Sequence, residues 1–198
     1  MPDDYQINMK KHVLFIQGGG GGEDYAADAK LVASLQKELG ESYEVHYPFL
    51  PDEQEPDFGR KKQIAQALLS IEGEVVVVAH SLGASMLLKY LSESRGDKAI
   101  NGIFLIATPY WSGDEDWKQP LKLQEDFTAK LPLNVPIFLY HAEDDEEVPF
   151  EHLNYYMENL PQATVRKITS GGHQLDNNLS LVAVDIITKS QTLRSGWV

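Results

Sequence analysis

VVVVAHSLGAS, residues 75–85, decides how the rest of the chain is read. Its first half does not alternate between apolar and polar residues. Four consecutive valines are stiff at χ1 and favour extended backbone. With no polar face, they imply a strand buried on both sides, as in a parallel sheet covered by helices. From Leu82 to Ser94 the pattern is helical instead, with Leu87, Leu88 and Leu91 on one stripe. Ser81 stands at the corner between the two.

The same alternation of element types extends in both directions. HVLFIQ (12–17) reads as a buried strand that runs into five glycines, 18–22. Apolar residues at Ala27, Leu31, Ala33, Leu35 and Leu39 predict a helix from Asp24 to Leu39, with Gly40 as its C-cap. YEVHY (43–47) is a second strand, and Phe58–Ile71 a helix with Ile64, Leu68 and Ile71 on one face. Beyond the elbow helix follow a strand at 102–108, an irregular stretch at 109–134, a strand at 135–141, a helix from Phe150 to Leu160, a strand at 163–169 and a helix from Leu175 to Lys189. Strands that alternate with helices imply a parallel sheet with right-handed crossovers and helices on both faces. This predicts one α/β domain over residues 1–198, a three-layer α/β/α sandwich, with 109–134 as a short cap-like insertion. Loops of that length are uncommon unless they serve a function.

Composition narrows the partners. The formal net charge is −13, from 30 acidic and 17 basic residues. A surface that acidic repels phosphate backbones and anionic lipid, so neither nucleic acid nor a membrane is expected as a partner. The chain has no cysteine, which removes disulfides, thiolate nucleophiles and thiolate metal ligands. The apolar run Val13–Ile16 is shorter than the about 7–15 residues of an export signal. No window reaches the roughly 20 apolar residues of a membrane helix. The expectation is a cytoplasmic protein, monomer or homodimer, acting on a small molecule.

The corner at Ser81 carries the chemistry. In an open α/β sheet, ligands bind beyond the C-terminal strand ends. Small residues two before and two after the serine, Ala79 and Gly83, let a strand and a helix meet at a sharp turn. The pattern is G-x-S-x-G with Ala79 in the first glycine position, a nucleophile elbow. It presents the Ser81 hydroxyl above the sheet and aims the Leu82 N–H, at a helix N-terminus, into the same space. Serine is also a favoured plain N-cap, so the corner alone does not specify catalysis.

A serine hydroxyl needs a base, and the base needs an orienting acid. Of the six histidines, His173 in TSGGHQLD sits in a late loop after the last strand. His141, at a strand end, is its competitor; His12 and His46 read as structural, His152 lies in a helix, and the elbow should turn His80 away from Ser81. For the acid, Asp145 in HAEDDEEVP (141–149) is preferred, with Asp144 as runner-up. A hard-cation site is the other reading of those acids, although they lack EF-hand spacing; no metal and no cofactor is expected. The glycine run is neither a P-loop nor a dinucleotide fingerprint. Glycine permits close backbone approach, which makes Gly19 the candidate second oxyanion donor, with Gly18 and Gly20 as alternatives. Tyr110, Trp111 and Trp117 are candidates for an apolar wall around an acyl group, or else packing residues.

The glycine-rich loop, AHSLG, the Asp145–Pro149 loop and GGH together resemble the α/β-hydrolase superfamily over nearly the whole chain. Within it the chain is similar to the small serine hydrolases related to retinoblastoma-binding protein nine. That resemblance implies strand order 2-1-3-4-5-6 and a triad of Ser81, Asp145 and His173. It implies no substrate; the residues themselves are read as a serine hydrolase acting on a small carboxylic ester, or else an amide or thioester, through an acyl-enzyme on Ser81. A non-catalytic binding protein, an acyltransferase or a lyase on the same scaffold are the alternatives, because fold does not fix reaction.

Overall fold

The computed structural model describes residues 10–94, 96 and 98–195. The N-terminal stretch read above for an export signal begins outside them. Six strands form one sheet: β1 (Lys11–Ile16), β2 (Tyr43–His46), β3 (Val75–His80), β4 (Ile100–Ile106), β5 (Ile137–Ala142) and β6 (Thr164–Ile168). Their order is β2-β1-β3-β4-β5-β6, and every neighbouring pair is parallel. All six residues of β3 are buried, as its unbroken apolar run requires.

Helices cover both faces. α1 (Gly22–Leu39) and α6 (Ser180–Ser195) lie on one face, against Val13, Phe15, Val76, Val78 and Phe104. α2 (Arg60–Leu69), α3 (Ser81–Glu93), α4 (Phe127–Lys130) and α5 (Glu151–Asn159) lie on the other, against Leu14, Ile16, Val77 and Leu105. The outcome is the expected three-layer sandwich. Residues 109–134 are not wholly irregular: they contain a 3-10 turn at Asp116–Leu121 and the single-turn α4.

Two helix readings are corrected. On α1 the buried stripe is Asp28, Leu31, Leu35 and Leu39, while Ala33 is exposed. A carboxylate, not an alanine, completes the inward face. The last helix starts at Ser180 rather than Leu175. Leu175, Asp176 and Asn177 have φ of 46°, 52° and 54°, a left-handed run that no α-helix accommodates. Backbone bonds from Asp176 N–H to the Gly171 carbonyl and from Asn178 N–H to the Leu175 carbonyl hold the run.

The sharpest packing constraint is where β3 turns into α3. A Cβ added at Gly83 would lie 2.1 Å from the Gln17 carbonyl oxygen at the end of β1. That neighbour is backbone and cannot rotate away. Ala79, by contrast, is fully buried with its methyl accommodated, so the alanine in the elbow is compatible with the turn. Gly83→Ala is therefore expected to cost about 1–3 kcal/mol in urea unfolding, and an unchanged unfolding midpoint would contradict this packing.

Candidate functional site

Four loops meet at the C-terminal edge of the sheet. Gly19 follows β1, Ser81 opens α3 directly after β3, Asp145 follows β5 and His173 follows β6. Ser81 has φ of 50°, a left-handed conformation unusual for a residue with a Cβ. An ordinary N-cap has extended φ/ψ, and that role falls to His80, with φ −114° and ψ 140°. Ser81 is thus the strained residue of the turn rather than a cap. Leu82 lies in the first turn of α3, where N–H groups have no helical acceptor.

The acid and the histidine are in contact. His173 Nδ1 lies 2.9 Å from Asp145 Oδ2 and 3.1 Å from Oδ1. Asp145 Oδ1 also accepts the N–H groups of Glu147 and Val148, both at 2.9 Å. An acceptor-only carboxylate at Nδ1 keeps the proton on that nitrogen, which leaves Nε2 with a lone pair. Both side chains are nearly out of solvent, His173 8% and Asp145 0% exposed. Burial alone would raise the Asp145 carboxyl, but bonds from His173, Val148 and Glu147 hold it below its ordinary value. Burial alone would lower His173, but the hydrogen bond and charge of Asp145, with Glu147 and Asp28 adding, hold the ring above 6.5.

The runner-up acid has another task. Asp144 accepts the N–H groups of Gly171 at 3.2 Å and Gly172 at 2.9 Å, and so clamps the loop that carries His173. Those glycines have φ of 141° and 59°. The competing histidine, His141, is buried behind the acid, with Nε2 donating to the Val148 carbonyl at 2.8 Å. His12 and His46 bond each other at 3.0 Å on β1 and β2, and His152 Nδ1 accepts the Tyr110 N–H at 2.8 Å. His80 is buried beneath the site, its ring centroid 4.6 Å from that of His173.

The glycine loop is held from two sides. Gly18 N–H donates to Asp28 Oδ2 at 2.8 Å, so it is committed. The Gly19 carbonyl accepts from Gln17 Nε2 at 2.6 Å, and Gln17 Oε1 accepts the Leu50 N–H at 2.8 Å. This leaves the N–H groups of Gly19 and Gly20 as the loop's candidate donors. A Cβ on Gly19 would lie 2.3 Å from an Asp24 carboxylate oxygen, and one on Gly20 1.6 Å from Asp52 Oδ1.

Tyr110 and Trp111 are half-buried against the core under α3 and α5. Tyr110 stacks on Tyr155 at 3.4 Å, and Trp111 Nε1 donates to Ser85 Oγ at 3.0 Å. Trp117, 56% exposed, meets Trp111 edge-on at 5.7 Å. Packing accounts for most of the first two; only Trp117 presents its ring mainly to solvent.

Residues 34–179 match the serine hydrolase family. The chain belongs to that family. No curated protein matches the sequence. Among solved structures, this serine hydrolase is similar to the ydeN gene product of B. subtilis: 16% identity, 92% of this chain and 100% of the other, TM-score 0.70. It is also similar to a serine hydrolase involved in carbazole degradation, CarC, at 13% identity over 93% and 92% of the two chains, TM-score 0.66. Est1E from Butyrivibrio proteoclasticus matches at 15% identity over 96% and 90%, TM-score 0.66. At such identities the likeness establishes the fold, and the sheet order agrees with the α/β-hydrolase arrangement. No helix among the described residues is long and apolar enough to cross a membrane.

The electrostatics predict a pH profile. A base works only when deprotonated, so if His173 is the base, its raised value shifts the acidic limb of kcat/KM to higher pH than an ordinary histidine would give. Glu147 Oε2 lies 3.6 Å from Nε2 and is one cause of that rise. Glu147→Gln should move the limb to lower pH, read from initial rates across a pH series. A limb that stays in place or moves up would show that Glu147 does not act on the base.

Proposed function

We propose that this serine hydrolase cleaves a small carboxylic ester through an acyl-enzyme on Ser81. The observation that carries the reading is the buried Asp145–His173 contact at 2.9 Å, on a loop at the same sheet edge as the elbow where Ser81 has φ of 50°. In the proposed sequence, His173 Nε2 takes the Ser81 hydroxyl proton as Oγ attacks the carbonyl carbon. The N–H groups of Leu82 and Gly19 hold the oxyanion. The tetrahedral adduct collapses, His173 gives its proton to the leaving alkoxide, and an ester to Ser81 remains. Water then attacks that ester with His173 again as base, and the acid product leaves. Asp145 stays ionised throughout and stabilises the imidazolium. Amides and thioesters follow the same path with a different leaving group.

Residues 109–134 serve as a cap within a single domain in this reading. Tyr110 and Trp111 anchor the segment to α3 and α5, and Trp117 stands free to meet the acyl chain. An apolar ring there favours an uncharged acyl group.

Short p-nitrophenyl esters test the proposal. Ser81→Ala should lose at least about 1,000-fold in kcat/KM with an unchanged melting temperature; a folded variant with full turnover would overturn it. Asp145→Asn should cost about 10,000-fold in kcat, since it removes the acceptor that fixes the His173 tautomer. Asp144→Asn should cost far less, because that side chain holds loop backbone and does not touch the ring. The reverse ranking would transfer the acid's role to Asp144.

A further inference from the structure

A second aspartate–histidine pair lies under the first. Asp28 and His80 both have side chains only 2% exposed. His80 Nδ1 lies 2.8 Å from Asp28 Oδ1 in a bent approach, a close charge contact more than a straight hydrogen bond. His80 Nε2 lies 3.0 Å from the backbone carbonyl oxygen of His173 itself. Asp28 has two further partners: Oδ2 accepts the Gly18 N–H at 2.8 Å, and Oδ1 accepts Gln174 Nε2 at 3.1 Å. One buried carboxylate thus touches the glycine loop, the residue before the nucleophile and the loop of the base.

The partners fix the protons. A carbonyl oxygen can only accept, so Nε2 carries a hydrogen. The Asp28 oxygens accept from Gly18 and Gln174, as an ionised carboxylate does. Burial alone would raise the Asp28 carboxyl, but His80, the Gly18 N–H and Gln174 hold it below its ordinary value.

We propose that Asp28 and His80 are positioning residues: Asp28 accepts from the Gly18 N–H and from Gln174, His80 Nε2 donates to the His173 carbonyl, and together they lock the His173 loop and the Gly18 loop at fixed separation from Ser81. The pair touches no reacting atom. It sets where His173 and the Gly19 N–H stand relative to the elbow. A misplacement of about 1 Å at such a site costs on the order of 100-fold in rate. The catalytic consequence rests on the function proposed above; the bracing hydrogen bonds do not, which allows the two to fail separately.

Two measurements on the full-length chain decide it. The first is the long-range ¹H–¹⁵N spectrum of the histidine rings at neutral pH, with His80 assigned by backbone-linked experiments. A hydrogen-bonded Nε2 proton on His80, protected from solvent exchange, is expected in the wild type, together with a protected Gly18 amide proton in the same sample. In Asp28→Asn the acceptor of the Gly18 N–H is weakened, so that amide should exchange faster. A His80 ring without an Nε2 proton, or a Gly18 amide unaltered in Asp28→Asn, would overturn the proposal even in an inactive protein. The second is ester hydrolysis by Asp28→Asn and by His80→Gln. Both should lose about 10- to 100-fold in kcat, with KM within about threefold of wild type. Values of kcat within twofold of wild type in the folded Asp28→Asn variant would refute the positioning role, and that variant suffices if His80→Gln does not fold. A wild type with the protected His80 Nε2 and Gly18 protons but no esterase activity would count against the ester reading and leave the bracing role standing.

Discussion

The close approach of α3 to the end of β1 constrains everything else at this edge of the sheet. With a Cβ at residue 83 placed 2.1 Å from the Gln17 carbonyl oxygen, only glycine lets the elbow form. The turn that results forces Ser81 to φ 50°, a conformation that costs on the order of 1–3 kcal/mol. The buried β3 and the apolar face of α3 hold it in place, since Val75–His80 and Leu87, Leu88 and Leu91 are all buried. The strain thus sits on Ser81, the residue proposed as nucleophile.

Around this fixed point the loops are braced by backbone bonds to acids. Asp145 takes two N–H groups from its own turn and presents its remaining capacity to His173. Asp144 takes two from the loop of the base. Asp28 takes one from the glycine loop. Asp28 and Asp144 order segments that glycine would otherwise leave loose, and Asp145 orders its own turn, so adjacent acids in one short sequence have different tasks. The local charge also acts on the chemistry, since Asp145, Glu147 and Asp28 together favour the protonated form of His173.

The fold was legible because the signals were long and mutually consistent. The unbroken valines of β3 and the regular alternation of strands with helices specified the parallel sandwich. The strand order came from the family resemblance, not from the pattern. Ser81, Asp145 and His173 could be placed because each stands just after a strand, where the sheet gathers its loops. Asp28 was missed, although it had a signal: a carboxylate three residues before Leu31 lies on the buried stripe of α1. A buried charge on an apolar face calls for a partner, and the elbow, by turning His80 away from Ser81, places that partner beneath the turn. The left-handed run at 175–177 was read as helix because Leu175 and Leu179 match helical spacing. Its cause is tertiary, the closure of the His173 loop back onto the Gly171 carbonyl. The aromatic residues of 109–134 stayed ambiguous because packing and ligand contact select the same side chains.

The central claim is that Ser81 is an activated nucleophile, and a fluorophosphonate probe tests it most directly. The wild type and Ser81→Ala would be treated alike, followed by intact mass and peptide mapping. One adduct per chain, located on Ser81 and absent from the variant, is the predicted result. A well-folded wild type that takes up no probe, or takes it up at another residue, would contradict the account and leave a binding protein built on a hydrolase scaffold.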